Sequence, residues 1–158
     1  MKLTHFDEKG ATRMVDVGNK KITRREATAG GRITMAAKTL ELILEKGATK
    51  GEVLETARLA GIMAAKRTHE LIPLCHAITI DSVTINFKPD VENSLIDITA
   101  KVTTNGRTGV EMDALTAVTI AALTIFDMVK AVDKEMTITK INVIEKIGGQ
   151  SGHYIRKE

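Results

Sequence analysis

Aromatic residues are nearly missing from this chain. It has no tryptophan, one tyrosine and three phenylalanines, which argues against a partner held by base stacking on aromatic platforms. Cysteine occurs once, as Cys75. That excludes an internal disulfide and fits a reducing, cytoplasmic setting. No charge sign dominates, because 23 Lys and Arg stand against 20 Asp and Glu. The balance is too even for a general nucleic-acid binder. Long hydrophobic runs are lacking too. The most apolar stretch, residues 114–126, contains three threonines and falls short of the ~20 apolar residues of a membrane span. Residues 1–7 carry no apolar signal core. Neither a Gly-x-x-x-x-Gly-Lys loop nor a Gly-x-Gly-x-x-Gly fingerprint occurs. At 158 residues the chain suits one domain, 1–158, with a polar N-terminal arm (about 1–21) and a polar tail (about 148–158).

What the chain does have is a dense stretch, residues 66–76. Two cations, two imidazoles, a carboxylate and the only thiol fall within it. Pro73, one of two prolines, disfavours helix at Ile72. A helix must therefore end near Lys66 and Arg67, and the chain turns extended. Such a junction suits a site, although both cations would also complement the negative end of a helix dipole.

Periodicity gives the remaining elements. In the arm only residues 14–17 look strand-like. Residues 22–35 carry charges and Gly30-Gly31 and read as an edge strand. A short helix is predicted over 38–46, stopped by Gly47. A second, over 52–68, shows small residues (Ala57, Ala60, Gly61, Ala64) to its neighbour. Period-two patterns predict a hairpin of strands 77–87 and 96–102, with a phase slip at Asp81-Ser82 and a turn at 89–93. The longest helix, 111–134, is apolar all round in its middle. That pattern predicts burial on two sides, by the sheet and by a partner subunit. Residues 136–147 form a last strand, and the glycine-rich 148–153 a loop able to close over a ligand. The expected fold class is α+β: a ferredoxin-like, mainly antiparallel four-stranded sheet with helices on one face.

Three clusters could carry chemistry. His69, Cys75 and His76 are poorly spaced for a metal, and no second Cys pair completes a zinc site. Glu111 and Asp113 open the long helix, where carboxylates favour the positive dipole end or could bind a ligand's cationic or N–H groups. Asp127 and Lys130 share a helix face. They are a surface ion pair or an acid/base pair. Asp113 and Asp127 lie ~21 Å apart along a helix at 1.5 Å per residue. One compact pocket using both must therefore draw on two chains. The cations Arg25, Lys50, Lys66, Arg67, Lys130 and Lys146 sit at element ends or beside glycines. An anionic ligand would be held by side chains converging from several elements.

Together these stretches resemble the cyclic pyranopterin monophosphate synthase family of molybdenum cofactor biosynthesis. The likeness runs in order through Met14-Val15-Asp16-Val17, Lys50-Gly51-Glu52-Val53, Ala65-Lys66-Arg67-Thr68 and Leu71-Ile72-Pro73-Leu74-Cys75-His76. It continues through Thr108-Gly109-Val110-Glu111-Met112, Asp127-Met128, Lys130-Ala131-Val132 and Gly148-Gly149. The resemblance implies a hexamer of three dimers with sites at subunit interfaces. It implies a cyclised guanosine triphosphate as substrate, rearranged to a pyranopterin with release of diphosphate. Asp127, Lys130 and Lys50 would then be catalytic. Leu74, Cys75, His76, Glu111, Met112 and Asp113 would bind substrate, with Arg25, Lys66, Arg67 and Lys146 toward the triphosphate. No metal site and no cofactor are implied by the residues, and Mg2+ accompanying the triphosphate is compatible with them. Asp113 departs from the longer Glu expected there, and His69 from an aromatic. Two rivals stay open: a metal-dependent phosphohydrolase using the histidines, and a non-catalytic oligomeric binding module.

Overall fold

The computed structural model describes residues 4–45, 53–149 and 152–157. The elements are β1 (Thr23–Thr34), α1 (Ala37–Leu44), α2 (Val53–Ala65), α3 (Thr68–Leu71), β2 (Ser82–Asp90), β3 (Leu95–Gly106), α4 (Glu111–Val129), β4 (Thr137–Ile147) and β5 (His153–Ile155). The strands form one sheet in the order β2-β3-β1-β4-β5. All neighbours in it run antiparallel. The fold is α+β, as expected, but with five strands rather than four. The fifth comes from the tail that read as a polar loop. Gly148, Gly149 and Gly152 all take positive φ, which glycine adopts without strain. They turn the chain back so that His153 pairs with Ile147.

The second correction concerns β1. It is no edge strand: β3 pairs with it on one side and β4 on the other. Its charges are tolerated because neighbouring strands answer them. Arg32 donates to both oxygens of Asp97, at 2.6 and 2.8 Å. Glu26 meets Lys101 of β3 at 2.6 Å, and Arg24 of its own strand at 2.7 Å. Gly31 is there for space, since a Cβ would meet Val118 of α4 and Ile141.

β3 alternates as its sequence promised. Ile96, Ile98, Ala100 and Val102 are fully buried and share a core with Ala114, Ala117, Val118, Ala121 and Ile125 of α4. β2 begins only at Ser82, so the phase slip marks a strand start rather than a bulge. Asp81 there accepts hydrogen bonds from the Asn105 amide and side chain, at 2.9 and 2.8 Å. Pro89 stays within β2, opposite Ile96, as an outer strand permits. The turn follows it, with Ser94 at φ 52.

The helices also shift. Residues 14–17 form no strand. The helix expected over 52–68 ends at Ala65, and α3 follows as a separate turn. α4 stops at Val129, not near 134. The proposed cap Gly47 lies outside the described residues. α1 has no side-chain cap of its own at Ala36. Asp133 supplies one from across the chain, accepting from Ala36 N (2.8 Å), Thr39 Oγ1 (3.1 Å) and Glu135 N (3.0 Å). α2 lies against α4 through Gly61, where a Cβ would come within 2.8 Å of the Ala117 carbonyl oxygen. Among the described residues α4 alone could cross a membrane by length and composition, yet half of its apolar stretch is buried in the protein. It is the core helix.

Candidate active site

A cleft of about 750 Å³ opens where the start of β1, the end of β4 and the entry to α4 meet. Arg25, Glu111 and Lys146, three of the predicted residues, line it. So do Lys20, Lys21, Arg107 and Thr108, which sequence reasoning missed. Loop cations have no period to betray them. Their one signal was position, with Lys20-Lys21 just before a strand and Arg107 just after one.

Local structure sets each side chain. β4 pairs with β1 so that Lys146 opposes Ala27 and Ile147 opposes Glu26. Lys146 contacts the Glu111 carboxylate from α4. Gly109 has no side chain, and the Glu111 carboxylate fills the space one would take. Arg25 donates to the Gly106 and Arg107 carbonyls, both at 3.4 Å. Both acceptors are neutral carbonyls rather than carboxylates. Among the described residues five cations thus converge on a cleft whose one lining carboxylate is already paired with Lys146. That set suits an anion rich in oxygens, such as linked phosphates.

Asp113 is placed two residues inside α4 and is only 6% exposed. Burial pushes its carboxyl above the usual carboxylate range. Hydrogen bonds from its own backbone amide and from Thr68 pull the other way, Glu111 adds to the rise, and His69 opposes it. Cys75 faces the same group. Burial raises its thiol, and the negative Asp113 raises it further, so Cys75 is not an activated nucleophile. His76 uses Nε2 to reach the Val15 carbonyl at 2.8 Å. A carbonyl only accepts, so Nε2 carries a proton. Leu74 is half-buried and Met112 exposed. Lys66 and Arg67 are exposed beyond the end of α2.

The acid/base pair lies elsewhere. Lys130 Nζ meets Asp127 Oδ1 at 2.6 Å, with both side chains more than half exposed. From Glu111 to Asp127 the helix advances ~24 Å at 1.5 Å per residue. Within one chain, α4 therefore separates the cation cleft from the pair. Lys50 lies outside the described residues. Among the described residues no three His, Cys, Asp or Glu side chains gather to hold a metal ion.

The MoaC family model matches residues 14–149. The chain belongs to the MoaC family. A cyclic pyranopterin monophosphate synthase of Magnetococcus marinus is 59% identical over 154 residues, covering 98% of this chain and 94% of that protein. One of Heliobacterium modesticaldum is 56% identical over 156 residues, covering 99% and 98%. One of Pelotomaculum thermopropionicum is 57% identical over 155 residues. The family match takes in the whole cleft and the α4 pair.

Proposed function

We propose that this chain is a cyclic pyranopterin monophosphate synthase, a lyase of molybdenum cofactor biosynthesis. It would convert (8S)-3',8-cyclo-7,8-dihydroguanosine 5'-triphosphate to cyclic pyranopterin monophosphate and diphosphate. The observation that carries the reading is end-to-end likeness to synthases, joined to a cleft of converging cations. Forming a cyclic monophosphate from a triphosphate means that a hydroxyl attacks the α-phosphorus and diphosphate leaves. Charge then grows on the leaving oxygens. Arg25, Lys146 and Arg107, with Lys20 and Lys21, are the groups to offset it. Ring rearrangement needs proton donors and acceptors. Asp127 and Lys130, in hydrogen-bond contact, would pass protons, with Lys50 as a further catalytic lysine. Asp113, His76, Cys75, Leu74 and Met112 would line the pterin side, with Lys66 and Arg67 at its margin.

The separation along α4 supports sites built from two subunits. The apolar side chains Leu59, Met63 and Leu123, all exposed in a single chain, suit burial in a homohexamer, a trimer of dimers. We read the chain as one domain, cytoplasmic, with its thiol free. The order β2-β3-β1-β4 with two helical crossovers fits a ferredoxin-like fold, β5 being an addition. A single-turnover assay of wild type, Lys130→Ala and Asp127→Asn tests the function by following diphosphate and pterin together. Wild type is expected to form both, and the variants to bind substrate and form neither. Turnover by Lys130→Ala at the wild-type rate would make the α4 pair structural.

A further inference from the structure

Gly149 sits on the wall of the cation cleft. Its backbone is left-handed, at φ +79. A Cβ there would land 1.9 Å from Nη1 of Arg25 and 3.0 Å from its Cζ. The guanidinium therefore lies directly against the bare backbone of Gly149. Opposite it are the carbonyls of Gly106 and Arg107, its only hydrogen-bond acceptors among the described residues. Both bonds are 3.4 Å long, too long to fix a fork alone. Gly148, at φ +100, approaches the backbone in the same way, since a Cβ there would be 2.4 Å from the Arg24 carbonyl oxygen. The Gly148 amide donates to Gly152 O at 3.1 Å, and the Gly152 amide to Gly149 O at 3.2 Å. Gly148, Gly149 and Gly152 are thus cross-braced, with Gly148 held against β1.

We infer that Gly149 is a positioning residue for Arg25: its missing side chain makes the slot that aims the guanidinium into the cleft. The inference rests on the reading of the cleft as an anion site. Strain at positive φ and displacement of Arg25 are separable, because Gly152 shares the left-handed backbone at φ +64 but has nothing within 4 Å of a Cβ. Gly152→Ala carries the strain without the collision.

The test is a double-mutant cycle read by calorimetric titration with inorganic diphosphate. Wild type, Gly149→Ala, Arg25→Ala, the double variant and Gly152→Ala are compared. Gly149→Ala is expected to weaken diphosphate about tenfold, the worth of one charge-assisted contact. In the Arg25→Ala background the same change should add nothing. Gly152→Ala should stay within about twofold of wild type. In turnover, Gly149→Ala should raise KM far more than it lowers kcat. Equal losses from Gly149→Ala with and without Arg25 overturn the inference. The Arg25 Nε–H resonance separates the two readings. Should wild type fail to bind diphosphate while Gly149→Ala still moves that resonance, the anion reading fails and the positioning holds. A resonance unmoved by Gly149→Ala refutes the positioning itself.

Discussion

Two buried carboxylates respond to pH in opposite directions. Asp113 has its carboxyl raised, chiefly by burial. A raised acid favours folding below the ordinary carboxylate range, and that benefit is lost as pH rises through the raised value. Asp113→Asn should therefore raise Tm at about pH 8, with the gain vanishing near pH 4. Activity should fall by roughly tenfold or more if the group moves a proton. A lower Tm at the higher pH would show the carboxylate to be well compensated. Asp133 is the reverse case. Hydrogen bonding by the Ala36 amide, ahead of that by Glu135 and Thr39, lowers its carboxyl. Its contribution is present above the ordinary range and is lost as pH falls through the depressed value. Asp133→Ala removes the cap of α1 and should cost about 2 kcal/mol, or roughly 4–8 °C in Tm near neutral pH. Thermal melts at several pH values check both carboxylates.

At the scale of elements, the α2–α4 contact depends on one missing methyl group. Gly61→Ala gains ~1 kcal/mol of helix propensity. It also drives a Cβ toward the Ala117 carbonyl, Ile85 and Ala121. Backbone cannot yield as a side-chain tip does, so a net loss of about 2 kcal/mol is expected. Urea unfolding should show a lower midpoint at unchanged slope, and an unchanged midpoint would mean that the helices separate freely. Elements were legible where one period ran unmixed, as in β3. They were misread where glycine or charge interrupted the pattern. β1 passed for an edge because its partners Asp97 and Lys101 are distant in sequence. β5 was hidden behind three glycines. Of the site, the separation of Asp113 from Asp127 followed from helix rise alone. Lys20, Lys21 and Arg107 did not, since only tertiary folding brings two loops to one cleft.

For the whole molecule, the two ends of α4 make a decisive experiment. Arg25→Ala lacks one of the cleft's two guanidiniums, and Lys130→Ala lacks the distant amine. If each site joins the cleft of one subunit to the α4 end of another, co-assembly of the two inactive variants rebuilds some intact sites. Random mixing in equal amounts should restore about a quarter of wild-type turnover. A site within one chain would restore none. Assay of co-expressed, differently tagged variants decides between them.

The two outer strands of the sheet carry a consequence for how copies of this chain can meet. β2 contains Pro89, which has no amide hydrogen to offer, and β5 is only three residues long. Pro89 interrupts one rim near its end, and along the other β5 covers only residues 145–147 of β4, leaving residues 137–143 without a strand partner on that side among the described residues. Addition of another strand is discouraged at β2 by Pro89, and along β4 by its register shifts against β1 and by Lys140 at φ 55. With its rims blunted in this way the protein should resist strand-by-strand growth into fibrils, even at high concentration.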